Sequence, residues 1–296
     1  MKIAISAETT LDMPLEMREQ YDVHVIPYGI VLGGEEFFDG KYSTEEIFEK
    51  VKELDELPKT NAINAYTYGE YFKELLKEYD GVVHVCLSGG ITSSTENAKA
   101  AAGELKNVYV VDSRSLSTGI SLLVLYARRL ADQGLSPKDV YEKVQARAEK
   151  LQVSFVIERL DYLYKGGRCS SLQLLGANLL KLRPRIILKD GKMISDKKYR
   201  GRMEQVVAKY CTDTLNEFNT PDKSEVFLTY TTATPEMVAA ARGVLKKAGF
   251  ETVYETHAGG TIGSHCGEHT LGILYFNNGD RKSTRLNSSH QKLSYA

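Results

Sequence analysis

Residues 81–103 read Gly81-Val82-Val83-His84-Val85-Cys86-Leu87-Ser88-Gly89-Gly90-Ile91-Thr92-Ser93-Ser94-Thr95-Glu96-Asn97-Ala98-Lys99-Ala100-Ala101-Ala102-Gly103. The run Val82 to Leu87 is short, β-branched and bounded by glycines, which predicts a buried strand. Gly89 and Gly90 permit a sharp turn, and Thr92, Ser93 and Ser94 are good helix N-cap residues ahead of an alanine-rich helix. A strand–turn–helix junction of this kind aims free N–H groups and the positive end of a helix dipole at one spot, which suits a carboxylate or a phosphate. A plain capped turn with no ligand fits the same residues.

Working outward, strand and helix patterns alternate on both sides of this unit. Lys2 to Ser6 reads as a strand, and Glu8 to Pro14 as a polar turn into a short helix. Val23 to Leu32 is a strand that is interrupted by Pro27 and bends there or lies at an edge. Ser43 with Glu46, and Thr67 with Glu70, have the spacing of capping boxes, with Pro58 to Asn64 a loop between them. Asn107 to Val111 is a strand. A long helix through Leu130 follows it, and Ser136-Pro137 starts another to about Leu151. The first half is therefore an α/β layer with a mainly parallel sheet and flanking helices.

Beyond the strand Val153 to Ile157 the pattern becomes mixed. Asp161 to Arg168 is a short helix with a Gly-Gly-Arg end, and Leu172 to Leu182 is helical. Arg185 to Ile194 carries the Asp190-Gly191 signature of a hairpin. Met203 to Asn216 is a helix, Glu225 to Tyr230 a strand, and Thr234-Pro235 opens a helix to Ala248. Glu251 to Thr256 and Leu271 to Phe276 are strands, with a glycine-rich loop from His257 to Gly267 between them. The expected division is an N-terminal α/β domain over residues 1–155 and a C-terminal mixed-sheet α/β domain over 156–278. Residues 279–296 form a tail. From Arg281 to Ala296 the chain is rich in Ser, Asn, Lys and Arg with no apolar period. That stretch reads as non-native sequence, or as a disordered basic tail, and takes no part in the fold reasoning.

Composition excludes several function classes. With 38 basic and 39 acidic residues, the chain lacks the concentrated positive charge of a nucleic-acid-binding surface. No apolar run approaches the length of about 18 residues needed to span a bilayer, and the N-terminus has no signal-peptide core, so the cytoplasm is the expected location. The four cysteines, Cys86, Cys169, Cys211 and Cys266, are scattered and read as reduced and buried. The chain has no GxxxxGK[ST], GxGxxG, GxSxG or HExxH pattern.

Four weaker constellations remain. In Gly259 to His269 the glycine density marks unusual backbone or close approach, and His265 is a candidate donor to an anion. His265, Cys266 and His269 lack a fourth ligand at a convincing spacing, so no metal is expected. Gly166-Gly167-Arg168 and Arg200-Gly201-Arg202 each read either as solvated arginines or as arginines held near an anion or partner. Thr60-Asn61, in a loop, is a weak signal alone.

Taken in order, these motifs resemble the DegV family, bacterial fatty-acid-binding proteins that serve as acyl carriers for fatty acid kinase. The similarity runs from about residue 2 to residue 278. Glu8-Thr9-Thr10-Leu11-Asp12-Met13 is similar to the family's D-S-T-x-D-L, with Glu for the first Asp. Phe38-Asp39-Gly40 is similar to its aromatic-D-G. Lys59-Thr60-Asn61-Ala62-Ile63 stands where T-S-Q-P-S is usual, and Ser88 to Ser94 where S-S-x-L-S-G-T is usual, so Thr92 takes the place of the ligand-binding serine. Val111-Asp112-Ser113 followed by Ser117-Thr118-Gly119 is also like the family. Leu163 to Arg168 is close to L-x-K-G-G-R, and Thr261 to Gly267 resembles v-I-G-x-H-x-G, with Glu268 in place of the following proline.

The resemblance implies two α/β domains with a long-chain fatty acid between them, its tail in an apolar tunnel. The carboxylate would meet Thr60, Asn61, Thr92, Ser93 and His265. Arg168 and Arg200 would face a kinase that phosphorylates the bound carboxylate for phospholipid synthesis. No catalytic residue and no cofactor are implied, and transient membrane-surface contact would serve ligand exchange. The other class of reading is a phosphate-handling enzyme built on the turn at 88–94.

Overall fold

A computed structural model describes residues 1–169 and 182–279. The expected helix at Leu172 to Leu182, all but its last residue, and the tail from Arg281 to Ala296 lie outside the described residues.

The chain opens with β1 (Ile3–Glu8), a 3-10 turn (Thr9–Leu11), α1 (Leu15–Gln20) and β2 (Val23–Ile26). Next come β3 (Gly29–Leu32), β4 (Glu35–Phe38), α2 (Thr44–Leu54), β5 (Lys59–Asn61) and α3 (Ala65–Leu75). The decisive stretch forms β6 (Gly81–Cys86) and α4 (Ser94–Gly103), followed by β7 (Val108–Asp112), α5 (Thr118–Asp132) and α6 (Pro137–Ala148). The second half holds β8 (Leu151–Val156), α7 (Leu160–Lys165), β9 (Arg183–Lys189), β10 (Lys192–Tyr199) and α8 (Met203–Glu217). It ends with β11 (Glu225–Tyr230), α9 (Pro235–Ala248), β12 (Thr252–His257), α10 (Gly260–Cys266) and β13 (Leu271–Phe276).

The first sheet is four-stranded, in the order β2-β1-β6-β7, with every pair parallel. Both β1 and β6 are buried along their whole length, as a parallel sheet covered on both faces requires. The second sheet is six-stranded and mixed, in the order β10-β9-β8-β13-β11-β12, with β11–β12 its parallel pair. This is the expected α/β arrangement of a parallel N-terminal sheet and a mixed C-terminal one. Helix α5 touches β1 and β6 of the first sheet and β8, β11 and β13 of the second. Its Leu122, Leu123, Val124 and Leu125 are buried in a core that runs from Ile5 and Val83 to Phe155 and Leu274. Each such side chain contributes about 1.5–3 kcal/mol of burial, so α5 ties the two sheets together.

Local chemistry explains most boundaries. Pro27 separates β2 from β3, and the two strands enter different sheets, β3 joining a small antiparallel sheet of order β4-β3-β5. The Asp190-Gly191 turn has positive φ at both residues (50° and 74°), as a two-residue hairpin needs. Ser136 caps α6 ahead of Pro137, and Ser43 with Glu46 forms the capping box of α2. All four cysteines are buried and unbridged. No helix among the described residues is long and apolar enough to cross a membrane.

Three expectations need correction. Helix α3 is capped by Asn64, whose side chain accepts the Thr67 N–H, and not by a Thr67–Glu70 box. Within the supposed loop 58–64, Lys59–Asn61 pairs with β3 as strand β5. The glycine-rich segment after β12 is not a loop but helix α10, for reasons that belong to the site.

Candidate functional site

The turn after β6 is held from within. Ser88 Oγ donates to Gly191 O (2.7 Å), so the hairpin tip of β9–β10 sits on this turn. The Gly89 N–H donates to Asp112 Oδ1 (3.2 Å) and the Gly90 N–H to Ser88 Oγ (3.2 Å). The expected cradle of free backbone N–H groups is thus largely spent on the protein's own acceptors. What the turn presents instead is hydroxyls. Thr92 Oγ1 accepts from the Ser94 N–H (3.2 Å) and from Tyr28 OH (3.4 Å), and exposed Ser93 stands beside it.

Opposite stands α10, whose position depends on the first half of the chain. The Gly260 and Thr261 N–H groups donate to the two carboxylate oxygens of Asp39 (2.9 and 3.1 Å), and the Gly259 N–H donates to Asp12 Oδ1 (2.8 Å). Carboxylates at a helix start satisfy its unpaired donors. The glycines that suggested a loop serve close packing. A Cβ on Gly263 would lie 2.5 Å from Thr44 Cγ2, and one on Gly260 would lie 2.7 Å from Ile47 Cδ1. Asp12 also accepts from Ser117 Oγ (2.5 Å). Burial pushes its carboxyl up to about 8, against the pull of the Ser117 and Gly259 bonds and with the help of nearby Asp39.

Helix α10 delivers His265, whose Nε2 lies 2.8 Å from Thr60 Oγ1. Its Nδ1 is buried with no hydrogen-bond partner, so the ring proton belongs on Nε2, where Thr60 can accept it. That leaves the Thr60 hydroxyl free to donate onward. Burial pushes the His265 imidazole down to about 4, and the Arg168 guanidinium adds to the shift, so the ring is neutral near pH 7. A Cβ on Gly166 would stand 2.6 Å from His265 Nδ1. The first glycine of the Gly-Gly-Arg end of α7 therefore makes room for this ring.

Between these parts lies a cavity of about 440 Å³. Thr60, Thr92, Ser93, His265 and Arg168 all line it, from both halves of the chain. Leu87, Ile91, Leu116, Leu163, Met193 and Ile262 supply an apolar wall. A smaller cavity of about 20 Å³ shares Leu116, Ile262 and Cys266 and is also bounded by Phe155, Gly272 and Leu274. One expected carboxylate contact is elsewhere. Asn61 is exposed and its Nδ2 donates to Glu36 Oε1 (3.0 Å), because neighbours on strand β5 point to opposite faces. Arg200 is exposed just beyond β10 and is not part of the cavity wall.

On the lining, Tyr28 and Thr261 are not singled out by the sequence reading: Tyr28 follows Pro27 in a short link with no periodicity, and Thr261 enters only as the first position of the v-I-G-x-H-x-G stretch. Among the described residues, the side chains close enough to share a metal are Glu8, His84 and Cys86 in the core, not His265, Cys266 and His269. Glu8 there accepts from Tyr68 OH (2.7 Å) and the Leu87 N–H (2.8 Å) and so anchors the end of β6.

The profile of a family described as "Uncharacterised protein, DegV family" matches residues 2–278. The chain belongs to the DegV family. Among DegV relatives, a protein of Thermotoga maritima named fatty acid-binding protein is 29% identical over 283 residues, covering 92% of this chain and 97% of that one. Among solved structures, a DegV family protein from Thermus thermophilus, described by its fatty acid binding, superposes with a TM-score of 0.86. It is 26% identical and is matched over 94% of this chain and 100% of its own. The fatty acid kinase (Fak) B3 protein of Streptococcus pneumoniae, solved with linoleic acid, shares the DegV fold at a TM-score of 0.80 and 19% identity. That match covers 94% of this chain and 100% of the other.

Proposed function

We infer that this chain binds a long-chain fatty acid in the cavity between its two halves and presents the carboxylate to a fatty acid kinase. The observation that carries this reading is the cavity itself, with a Thr60–His265 pair and Thr92 on one wall and aliphatic side chains on the rest. Each buried CH₂ contributes about 0.8 kcal/mol. A chain of about fourteen methylenes therefore supplies roughly 11 kcal/mol, against about 8 for micromolar binding before ordering costs. Affinity can come from the tail, and the head group needs only orienting donors. Neutral His265, donating to Thr60, leaves Thr60 to donate to a carboxylate oxygen, with Ser93 for the other, and Thr92 as well if its hydroxyl turns from Ser94 Oγ. Asn61 would reach the ligand only by leaving Glu36.

In this account the protein is a carrier, and the kinase supplies the chemistry that makes an acyl phosphate. Arg168 on the cavity lining and Arg200 on the exposed surface would face that kinase, a role in keeping with the name of the pneumococcal protein. The division near residue 155, a cytoplasmic location and brief membrane contact for ligand exchange belong to the same proposal. The phosphate-enzyme reading loses ground, because the Gly89 and Gly90 N–H groups it would use are bonded to Asp112 and Ser88. Titration of delipidated protein with C14 to C18 fatty acids tests the reading. We expect saturable binding at micromolar concentrations or below, and absence of binding up to about 100 µM would overturn it.

A further inference from the structure

Thr261 is 3% exposed and lies on the cavity wall, and its Oγ1 is buried with no hydrogen-bond partner. The neighbouring hydroxyls do not share this state. Ser264 Oγ donates to Gly260 O (2.7 Å) and Thr270 Oγ1 donates to Cys266 O (2.9 Å), each turning its hydroxyl back onto the backbone. The Thr60 hydroxyl is engaged with His265 and that of Thr92 with Ser94. Asp39, which holds the Thr261 N–H, has its two oxygens on backbone donors. A buried hydroxyl left unpaired is costly, and valine would fill the same volume without that cost.

Residues i and i+4 share a helix face, so Thr261 and His265 stand on the same side of α10, one turn apart. A turn is about 5.4 Å, which spans about four carbons of an extended chain. An oxygen on the third or fourth carbon of an acid whose carboxylate meets His265 and Thr60 would come within reach of Thr261 Oγ1. We propose that Thr261 selects the ligand, favouring long-chain acids that carry a hydroxyl near the head, 3-hydroxy fatty acids above all, over plain chains. This rests on the fatty-acid reading of the cavity.

The test is competition between 3-hydroxyhexadecanoate and hexadecanoate for delipidated protein, in the wild type, Thr261→Val and Thr261→Ser. The wild type should prefer the hydroxy acid by about tenfold, Thr261→Ser should keep that preference, and Thr261→Val should bind the two acids alike. Ligand-free Thr261→Val should unfold at the same temperature as the wild type or higher. Equal affinity for the two acids in the wild type, or a preference that survives in Thr261→Val, overturns the proposal and leaves the carrier reading intact. Failure of both acids to bind overturns both.

Discussion

Gly166→Ala separates a residue that shapes the site from one that shapes the fold. Gly166 ends α7 with φ −64° and ψ −18°, angles that alanine adopts freely. Alanine is the better helix former by about 0.8–1 kcal/mol in a helix interior, so the backbone gains or is indifferent. The obstacle is the side chain opposite, since the new Cβ would stand 2.6 Å from His265 Nδ1 and 3.0 Å from Tyr162 O. To restore van der Waals contact the ring must retreat by about 0.8–1 Å. The 2.8 Å bond from His265 to Thr60 then stretches past hydrogen-bonding range. Leaving such a buried pair unmade costs about 1–3 kcal/mol, which is roughly a 5- to 150-fold loss of affinity for a carboxylate that depends on it.

Gly167→Ala is the control. Gly167 has φ +69° with nothing within 4 Å of its Cβ position. Alanine there costs about 1–2 kcal/mol of backbone strain and leaves His265 alone. Fatty acid titration and calorimetric melting of both variants give the contrast. Gly166→Ala should lose affinity, and its melting temperature should fall by less than the lost bond alone would cost, because alanine favours the helix. Gly167→Ala should keep affinity and melt a few degrees lower. Affinity within twofold of wild type in Gly166→Ala would refute the claim that this glycine exists to seat His265.

Other outcomes follow from the same contacts. Thr60→Val should bind fatty acid about tenfold more weakly and melt a few degrees lower, because it removes the acceptor that orients His265 and leaves a buried N–H unpaired. Folded Asp12 titrates near 8 against 3.8 for the free side chain, so the folded protein holds a proton that the unfolded chain has released. That contribution is complete below about pH 4 and fades as the pH rises through 8. Asp12→Asn has no such proton, and its melting temperature should fall less than the wild type's between pH 6 and 9. Parallel curves would refute this. Arg185 is fully buried between Asp196 (2.9 Å from Nε) and Glu217, so Arg185→Leu should destabilise the fold by about 3–5 kcal/mol in chemical denaturation.

The sequence was most legible where one local signal fixed the backbone. The β-branched run before Gly89 gave β6, Asp190-Gly191 gave the hairpin, Ser136-Pro137 gave the start of α6, and Pro27 marked the break between β2 and β3. It was least legible where glycine answers to a distant neighbour. Gly260 and Gly263 look like loop residues locally, yet they are small because Ile47 and Thr44 press on α10. The site shows the same division. Motif order brought Thr60, Thr92, Ser93, His265 and Arg168 to one cavity, but adjacency in sequence misled at Asn61, since β5 turns it away from Thr60. The hydroxyl of Thr261 could be noticed only once its lack of a partner was visible.

The carrier account is tested most directly by denaturing the freshly purified protein, with no ligand added, and identifying extracted lipid by mass spectrometry. The account predicts a long-chain fatty acid in stoichiometric amount, with its length, unsaturation and any hydroxyl read from its mass. Protein that yields no fatty acid, and that gains no thermal stability when fatty acid is supplied, would contradict it.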